Sequence, residues 1–243
     1  MDSRLLKILA VVLMTVDHVG LLVFPHVEIL RIIGRLAYPL FAFLVAYGCI
    51  KTRNLSGYFL RLIAFAVWLE IAWVVLPVGE VRNHNIFFTL AFGVLAVWTV
   101  NALWKNAPAK EGFVDRMFLL AISVLLAGFV ALTAGLLQVD FGVAGVALIA
   151  MFYASLKAQG CVKNRRMIWL SLHFIGPVMA LAVFNGLLHG FFDWPVQWWS
   201  MLAAVILWTF VDKRLRVNWA EKYFFYVYYP LHFLILLWIS PSA

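Results

Sequence analysis

Apolar runs of about twenty residues recur along the whole chain, each closed by a short polar or basic stretch. That is the length a helix needs to cross the hydrocarbon core of a bilayer, and the shorter alternation of a membrane barrel is absent. The pattern predicts an all-α, polytopic integral membrane protein with about nine transmembrane helices. Their expected spans are about 4–24, 30–50, 58–76, 85–104, 116–138, 142–159, 167–188, 195–211 and 223–239. Connections are short, so residues 1–243 read as a single transmembrane domain. The sixth segment is ambiguous, because Asp140-Phe141-Gly142 and Gly145 could equally mark a re-entrant or kinked piece.

Composition sharpens this. With 65% hydrophobic and 12% charged residues in 243, the chain carries more apolar surface than a soluble domain could cover. The first apolar segment lacks a small-residue cleavage site and contains Asp17 and His18, so it reads as a retained helix rather than a signal peptide. Cys49 and Cys161 fall at helix ends expected to face the cytoplasm, which argues against a structural disulfide; no spacing suggests a metal site.

A formal charge of +8 raises the question of a nucleic-acid partner. The distribution answers it. Sixteen of the nineteen Lys and Arg residues lie at the N-terminus or in the second, fourth, sixth and eighth connections, all on one side of the membrane. This is the positive-inside bias; it makes the N-terminus cytoplasmic and the C-terminus external, and no nucleic acid is needed to explain it. Arg31, Arg35 and Arg82 are the exceptions. Arg82 lies in a polar loop with Asn83, His84 and Asn85, where snorkelling is an adequate reading. Arg35 sits just inside the second helix, before a helix-distorting Pro39, and reads as a site residue.

Trp194, Trp198, Trp199, Trp208 and the aromatic run Tyr223–Tyr229 read as interfacial anchors. Gly176-Pro177 is expected to kink the seventh helix.

The topology then places several polar residues at one depth, toward the outside. Asp17 and His18 fall in the outer half of the first helix, Arg35 and Tyr38 near the outer end of the second, and Glu70 past the midplane in the third. Asn85 opens the fourth helix, Asp140 precedes the sixth, and His232 lies near the middle of the ninth. Ionisable side chains in such positions are costly and mark a functional site by default. A plainer reading exists for each: Asp17 as a packing partner of Arg35, Glu70 as a neutralising or protonated carboxyl, His173 and His189 as incidental. His18 is the hardest to dismiss, since a buried imidazole beside a carboxylate is a means of making a base or nucleophile. Adjacent helix positions point about 100° apart, so Asp17 is expected to act through another helix or its field, not by bonding His18.

Lys7 precedes His18 by eleven residues, about three full turns and a rise of about 16 Å. The spacing sets a cytoplasmic cation on the same helix face as a histidine deep in the membrane. It suits a cofactor with a phosphate head and a long reactive arm, such as coenzyme A, although topology alone also explains a lysine there.

Leu6-Lys7-Ile8 through Met14-Thr15-Val16-Asp17-His18-Val19-Gly20, then Gly34-Arg35-Leu36-Ala37-Tyr38-Pro39-Leu40-Phe41-Ala42-Phe43, resemble the TraX family. So do Asn85-Ile86-Phe87-Phe88-Thr89-Leu90, Asp140-Phe141-Gly142 with Gly145, and Lys222-Tyr223-Phe224-Phe225-Tyr226 running into Tyr229-Pro230-Leu231-His232. The blocks come in family order over nearly the whole chain. Lys7 and His18 also resemble the basic-x10-histidine motif of the wider transmembrane acyltransferases. The family's namesake acetylates the pilin N-terminus in F-type conjugation systems, at the bacterial inner membrane. The resemblance thus implies transfer of acetyl from cytoplasmic acetyl-CoA to a pilin-like protein, or to an envelope glycan or lipid, at the outer side. His18 would be base or acetyl carrier, Asp17 its positioning carboxylate, and Lys7 with Arg4 the CoA-phosphate ligands. Arg35, Tyr38, Asn85, Glu70, Asp140 and His232 would line the oxyanion and acceptor cavity. Phe141 departs from the tyrosine more usual in the family, so no phenolic role is expected there. A proton-coupled transporter is the main rival reading, weakened by the lack of an internal repeat. A non-enzymatic assembly factor would leave Asp17-His18 without a purpose.

Overall fold

The computed structural model describes residues 1–75, 84–106, 112–161, 166–189, 196–210 and 219–240. Arg82, Asn83, Trp194 and the basic residues Lys110, Lys163, Arg165, Lys213, Arg214 and Arg216 lie outside them. Among the described residues all regular elements are helices: α1 (Ser3–Leu22), α2 (Glu28–Gly34), α3 (Ala37–Lys51), α4 (Leu55–Val75), α5 (Ile86–Lys105), α6 (Phe113–Leu136), α7 (Gly142–Cys161), α8 (Arg166–His189), a 3₁₀ helix (Val196–Leu202), α9 (Ala203–Trp208) and α10 (Trp219–Ile239). Among the described residues, six stretches are long and apolar enough to cross a membrane: Ser3–Leu22, Glu28–Lys51, Leu55–Val74, Ile86–Lys105, Phe113–Leu136 and Gly142–Cys161. Shorter apolar helical stretches are Ile175–Leu187, Val196–Trp208 and Tyr223–Ile239. Large apolar side chains such as Phe118, Leu125, Phe129, Val227 and Trp238 are exposed, as on surfaces solvated by lipid.

Three segments differ from expectation for identifiable reasons. The second is split, with α2 ending at Gly34 and α3 starting at Ala37. Pro39 has no N–H to offer the carbonyl of Arg35, and its ring crowds that same carbonyl, so the ladder breaks four residues upstream of it. The sixth is one unbroken helix: Gln138, Phe141 and Gly142 take positive φ (51°, 57° and 42°), and this tight turn launches α7. The eighth begins as a 3₁₀ helix in which Gln197 and Ser200 are buried, followed by buried Ala203 at the start of α9. A period of three puts those positions on one face. α8 runs through Pro177 and α10 through Pro230. Cys49 and Cys161 are free thiols.

The chain forms two compact units, residues 1–44 with 173–243, and residues 45–172. In the second, α5, α6 and α7 share a core of Ala96, Val130, Ala131, Ala134, Val139 and Val146, with Phe88, Phe92 and Leu95 against it. Small residues dominate, letting backbones approach where no hydrophobic effect drives helices together.

In the first unit, α1 starts on Asp2, whose carboxylate accepts the N–H groups of Arg4 and Leu5 at 3.1 and 3.0 Å. It packs antiparallel to α2 through two glycines. A Cβ on Gly34 would stand 2.3 Å from Asp17 Cβ and 2.6 Å from its Cα, and one on Gly20 would stand 2.7 Å from Leu30 Cβ. Gly34→Ala is therefore expected to force α1 and α2 apart and cost about 1–3 kcal/mol. Gly128→Ala, where an added Cβ meets nothing within 4 Å, should be neutral or mildly stabilising. Thermal unfolding of both variants in one detergent checks this; equal midpoints would contradict the close approach.

Candidate functional site

The geometry of the site follows from the helical period of α1. Thr15, His18 and Leu22 lie on one face and meet α10. Asp17 and Gly20, about 100° round the axis, meet α2.

On the α2 side, Asp17 stands between two guanidiniums. Arg31 Nη1 donates to Asp17 Oδ2 at 2.8 Å and to its backbone carbonyl at 3.1 Å. Arg35 Nη2 is 3.3 Å from Oδ1, and Arg35 Nη1 donates to Gln197 Oε1 at 3.2 Å. Gln197 is only 5% exposed, and its Nε2 has no hydrogen-bond partner. Among the described residues, two cations thus face one carboxylate, an excess of positive charge in the cluster. The Asp17–Arg35 pairing, the plainer alternative weighed for Asp17, is present; Arg31, four residues before Arg35, is the partner the sequence pattern passed over.

On the α10 side, the chain contacts advance in step: Thr15 with Tyr228, His18 with His232, and Leu22 with Ser240. The two helices therefore run parallel. Thr15 Oγ1 donates to Val11 O at 2.9 Å, so its 2.7 Å contact with Tyr228 is donated by the phenol. His18 Nδ1 is 2.8 Å from His232 Nε2, and His232 Nδ1 is 2.9 Å from the Tyr228 carbonyl. Tyr229 and Phe233 present to the His18 ring edge-on, while Tyr228 stacks on His232. The end of the Tyr223–Tyr229 run is accordingly part of the histidine environment and not only an interfacial anchor. The spacing carried the signal: Tyr228 precedes His232 by four residues, one helical turn. Tyr38, expected near the cavity, is buried with its ring stacked on Phe184. His173 Nε2 donates to the Trp208 carbonyl at 3.0 Å, a packing role.

Lys7 and Arg4 lie near the start of the same unbroken α1 that carries His18. Lys7 is partly buried.

The second unit has its own polar cluster. Glu70 accepts from Asn85 Nδ2 at 2.7 Å and pairs with His84 Nδ1 at 2.8 Å. Asn85, 3% exposed, gives its other amide hydrogen to Ala66 O at 2.9 Å and caps α5 by accepting from Phe87 N at 3.2 Å. Both of its amide hydrogens are engaged, so Asn85 here is a cap and a tie to α4. The backbone of His84 pairs with that of Gln138 and Asp140, and Thr89 Oγ1 donates to the Asp140 carbonyl. Glu70, Asn85 and Asp140 thus brace the α4, α5 and α7 ends of that unit. Among the described residues, no three His, Cys, Asp or Glu side chains gather as a metal site.

A family model described as "TraX protein" matches residues 2–240. The chain belongs to the TraX family. Its relatives include "Probable fimbrial assembly protein FimC, serogroup H1" of Dichelobacter nodosus, 26% identical over 95% of this chain and 92% of that one. Another is "Uncharacterized protein RP591" of Rickettsia prowazekii (strain Madrid E), 42% identical over 37% of this chain and 34% of that one. No solved structure matches. The match takes in Lys7, Asp17, His18, Arg35 and His232 alike, so the TraX region includes every residue of the α1–α2 and α1–α10 contacts described above.

Because Asp17 is, among the described residues, the one carboxylate paired with Arg31 and Arg35, Asp17→Asn should leave uncompensated charge and destabilise the fold by about 3–5 kcal/mol. Adding Arg31→Gln should restore part of that loss, with a coupling of about 0.5–3 kcal/mol. A double-mutant cycle on detergent-solubilised protein measures it; strict additivity would show that the pair is not coupled.

Proposed function

We propose that this TraX protein is a multi-pass acetyltransferase of the bacterial inner membrane, moving acetyl from cytoplasmic acetyl-CoA to an acceptor on the outer side. The observation that carries this reading is α1, one unbroken helix with Lys7 near its start and His18 eleven residues on, in an aromatic setting. Lys7, with Arg4, would hold CoA phosphates, and the pantetheine arm would rise along α1 to bring the thioester to His18. The parallel course of α1 and α10 is what an odd number of spans, such as nine, requires, since the first and last helices must then run the same way. The one-sided distribution of basic residues supports the same orientation.

In this mechanism the acceptor amine or hydroxyl attacks the thioester carbonyl while His18 takes its proton, and CoA thiolate leaves. The surplus guanidinium charge of Arg31 and Arg35 would stabilise the tetrahedral oxyanion, and Asp17 would keep both cations in place. The name of the Dichelobacter relative favours a pilin-like subunit as acceptor over a glycan or lipid.

His18→Ala should reduce transfer of label from radioactive acetyl-CoA into native membranes by about 10²–10⁴-fold. Lys7→Gln should instead raise KM for acetyl-CoA about tenfold or more with a smaller change in kcat. Mass spectrometry of envelope components from wild-type and deletion strains names the acceptor by a difference of one acetyl group. Undiminished turnover in a folded His18→Ala protein would remove His18 from the chemistry.

A further inference from the structure

We infer that His232 is a positioning residue that fixes the tautomer of His18, leaving His18 Nε2 as the bare nitrogen that faces substrate. The base role of that nitrogen rests on the transferase reading above; the tautomer does not.

Hydrogen-bonding capacity alone decides the tautomer. The Tyr228 carbonyl can accept and cannot donate, so His232 Nδ1, 2.9 Å away, carries a hydrogen. In neutral His232 the other nitrogen, Nε2, is then a lone pair. Its 2.8 Å contact with His18 Nδ1 is a hydrogen bond only if His18 Nδ1 carries the hydrogen. Neutral His18 is therefore protonated on Nδ1 and bare on Nε2. This is opposite to the tautomer that a free histidine side chain favours in water, so the protein has to impose it. Three features hold the His232 ring for that purpose. Its ring lies nearly parallel to that of Tyr228, 9° between planes; the Tyr228 phenol is pinned to Thr15; and the residue is only 6% exposed.

The same chain can move a proton. As the acceptor's N–H or O–H gives its proton to His18 Nε2, the new bond to the acetyl carbon forms and the C–S bond breaks. His18 Nδ1 then passes its hydrogen to His232 Nε2, and His232 becomes the imidazolium, held through Nδ1–H by the Tyr228 carbonyl. The proton returns by the same path and leaves from His18 Nε2 to the departing thiolate, giving CoA thiol. The dyad ends as it began. A second imidazole here does what a carboxylate does behind the histidine of a hydrolase triad, orienting one ring nitrogen by occupying the other. Asp17 is not that partner, because its carboxylate is turned to Arg31 and Arg35.

The test is nitrogen NMR on histidine-labelled protein in lipid nanodiscs, comparing wild type, His232→Gln and His232→Phe. Wild type should show His18 protonated at Nδ1 and bare at Nε2, with a coupling across the bond to His232 Nε2. A glutamine oxygen can still accept from Nδ1, so His232→Gln should keep the tautomer. His232→Phe removes the acceptor and should lose it. Transfer of labelled acetyl into native membranes should fall about 10–100-fold in His232→Phe with KM for acetyl-CoA unchanged, and less in His232→Gln. A hydrogen on His18 Nε2 in neutral wild type, or an unchanged tautomer in folded His232→Phe, overturns the inference. Wild-type protein with the expected tautomer and no acetyl transfer would instead overturn the transferase reading and the base role that depends on it.

Discussion

The carboxylate of Asp17, half-buried at the approach of α1 to α2 and held by Arg31 and Arg35, sets the geometry on which the histidine side depends. An unpaired charge at such a depth is expensive, so the pair fixes the rotation of α1 about its own axis. Gly34 and Gly20 make the approach close enough for short contacts. Once Asp17 faces α2, the helical period leaves His18 facing about 100° away, toward α10. Electrostatics on one side thus aims the imidazole on the other.

A good deal of this was legible in the chain. Helix number and approximate extent follow from apolar run length, and the ionisable residues on α1 stood out because lipid tolerates few of them. That Asp17 works through a neighbouring helix and not on His18 follows from the period alone. The split at Arg35 and Leu36 was half legible: Pro39 predicted a distortion, but the missing bond belongs to the residue four positions earlier. Pairings between distant segments were not legible. Nothing local in Arg31 distinguishes it from an ordinary snorkelling arginine, and nothing in Tyr228 or Thr15 says that they meet. Such partners are chosen by the packing of α1 on α10, a tertiary outcome.

Glu70, Asn85 and Asp140 carry a different lesson. Each is polar near a helix end, as a site residue would be, yet Glu70 bonds Asn85 and His84, Asn85 bonds Glu70 and backbone groups, and the backbone of Asp140 pairs with that of His84. A helix start in lipid has N–H groups that water cannot satisfy, so a side chain must. Asn85 does this for α5, Glu70 holds Asn85, and His84 completes the pairing of the turn before α7. The sharp bend at Gln138 to Gly142, with two non-glycine residues at positive φ, is held by that brace. Polar residues at equal depth need not share a task.

What separates the α1 cluster from that brace is the surplus it carries. In the second unit, the Asn85 amide is saturated: its hydrogens go to Glu70 and Ala66, and its oxygen takes the Phe87 N–H. In the first, two guanidiniums answer to one carboxylate, and Gln197 Nε2 is buried without a partner. Structure alone does not require such a surplus, since one arginine would neutralise Asp17 and an apolar side chain would replace Gln197 at lower cost. Excess donors beside an imidazole with a free nitrogen are what a reaction needs if negative charge develops while a proton is withdrawn. The α1 face toward α2 meets the surplus donors and the face toward α10 holds the imidazole, so one helix, read at two angles, keeps the two at a fixed separation.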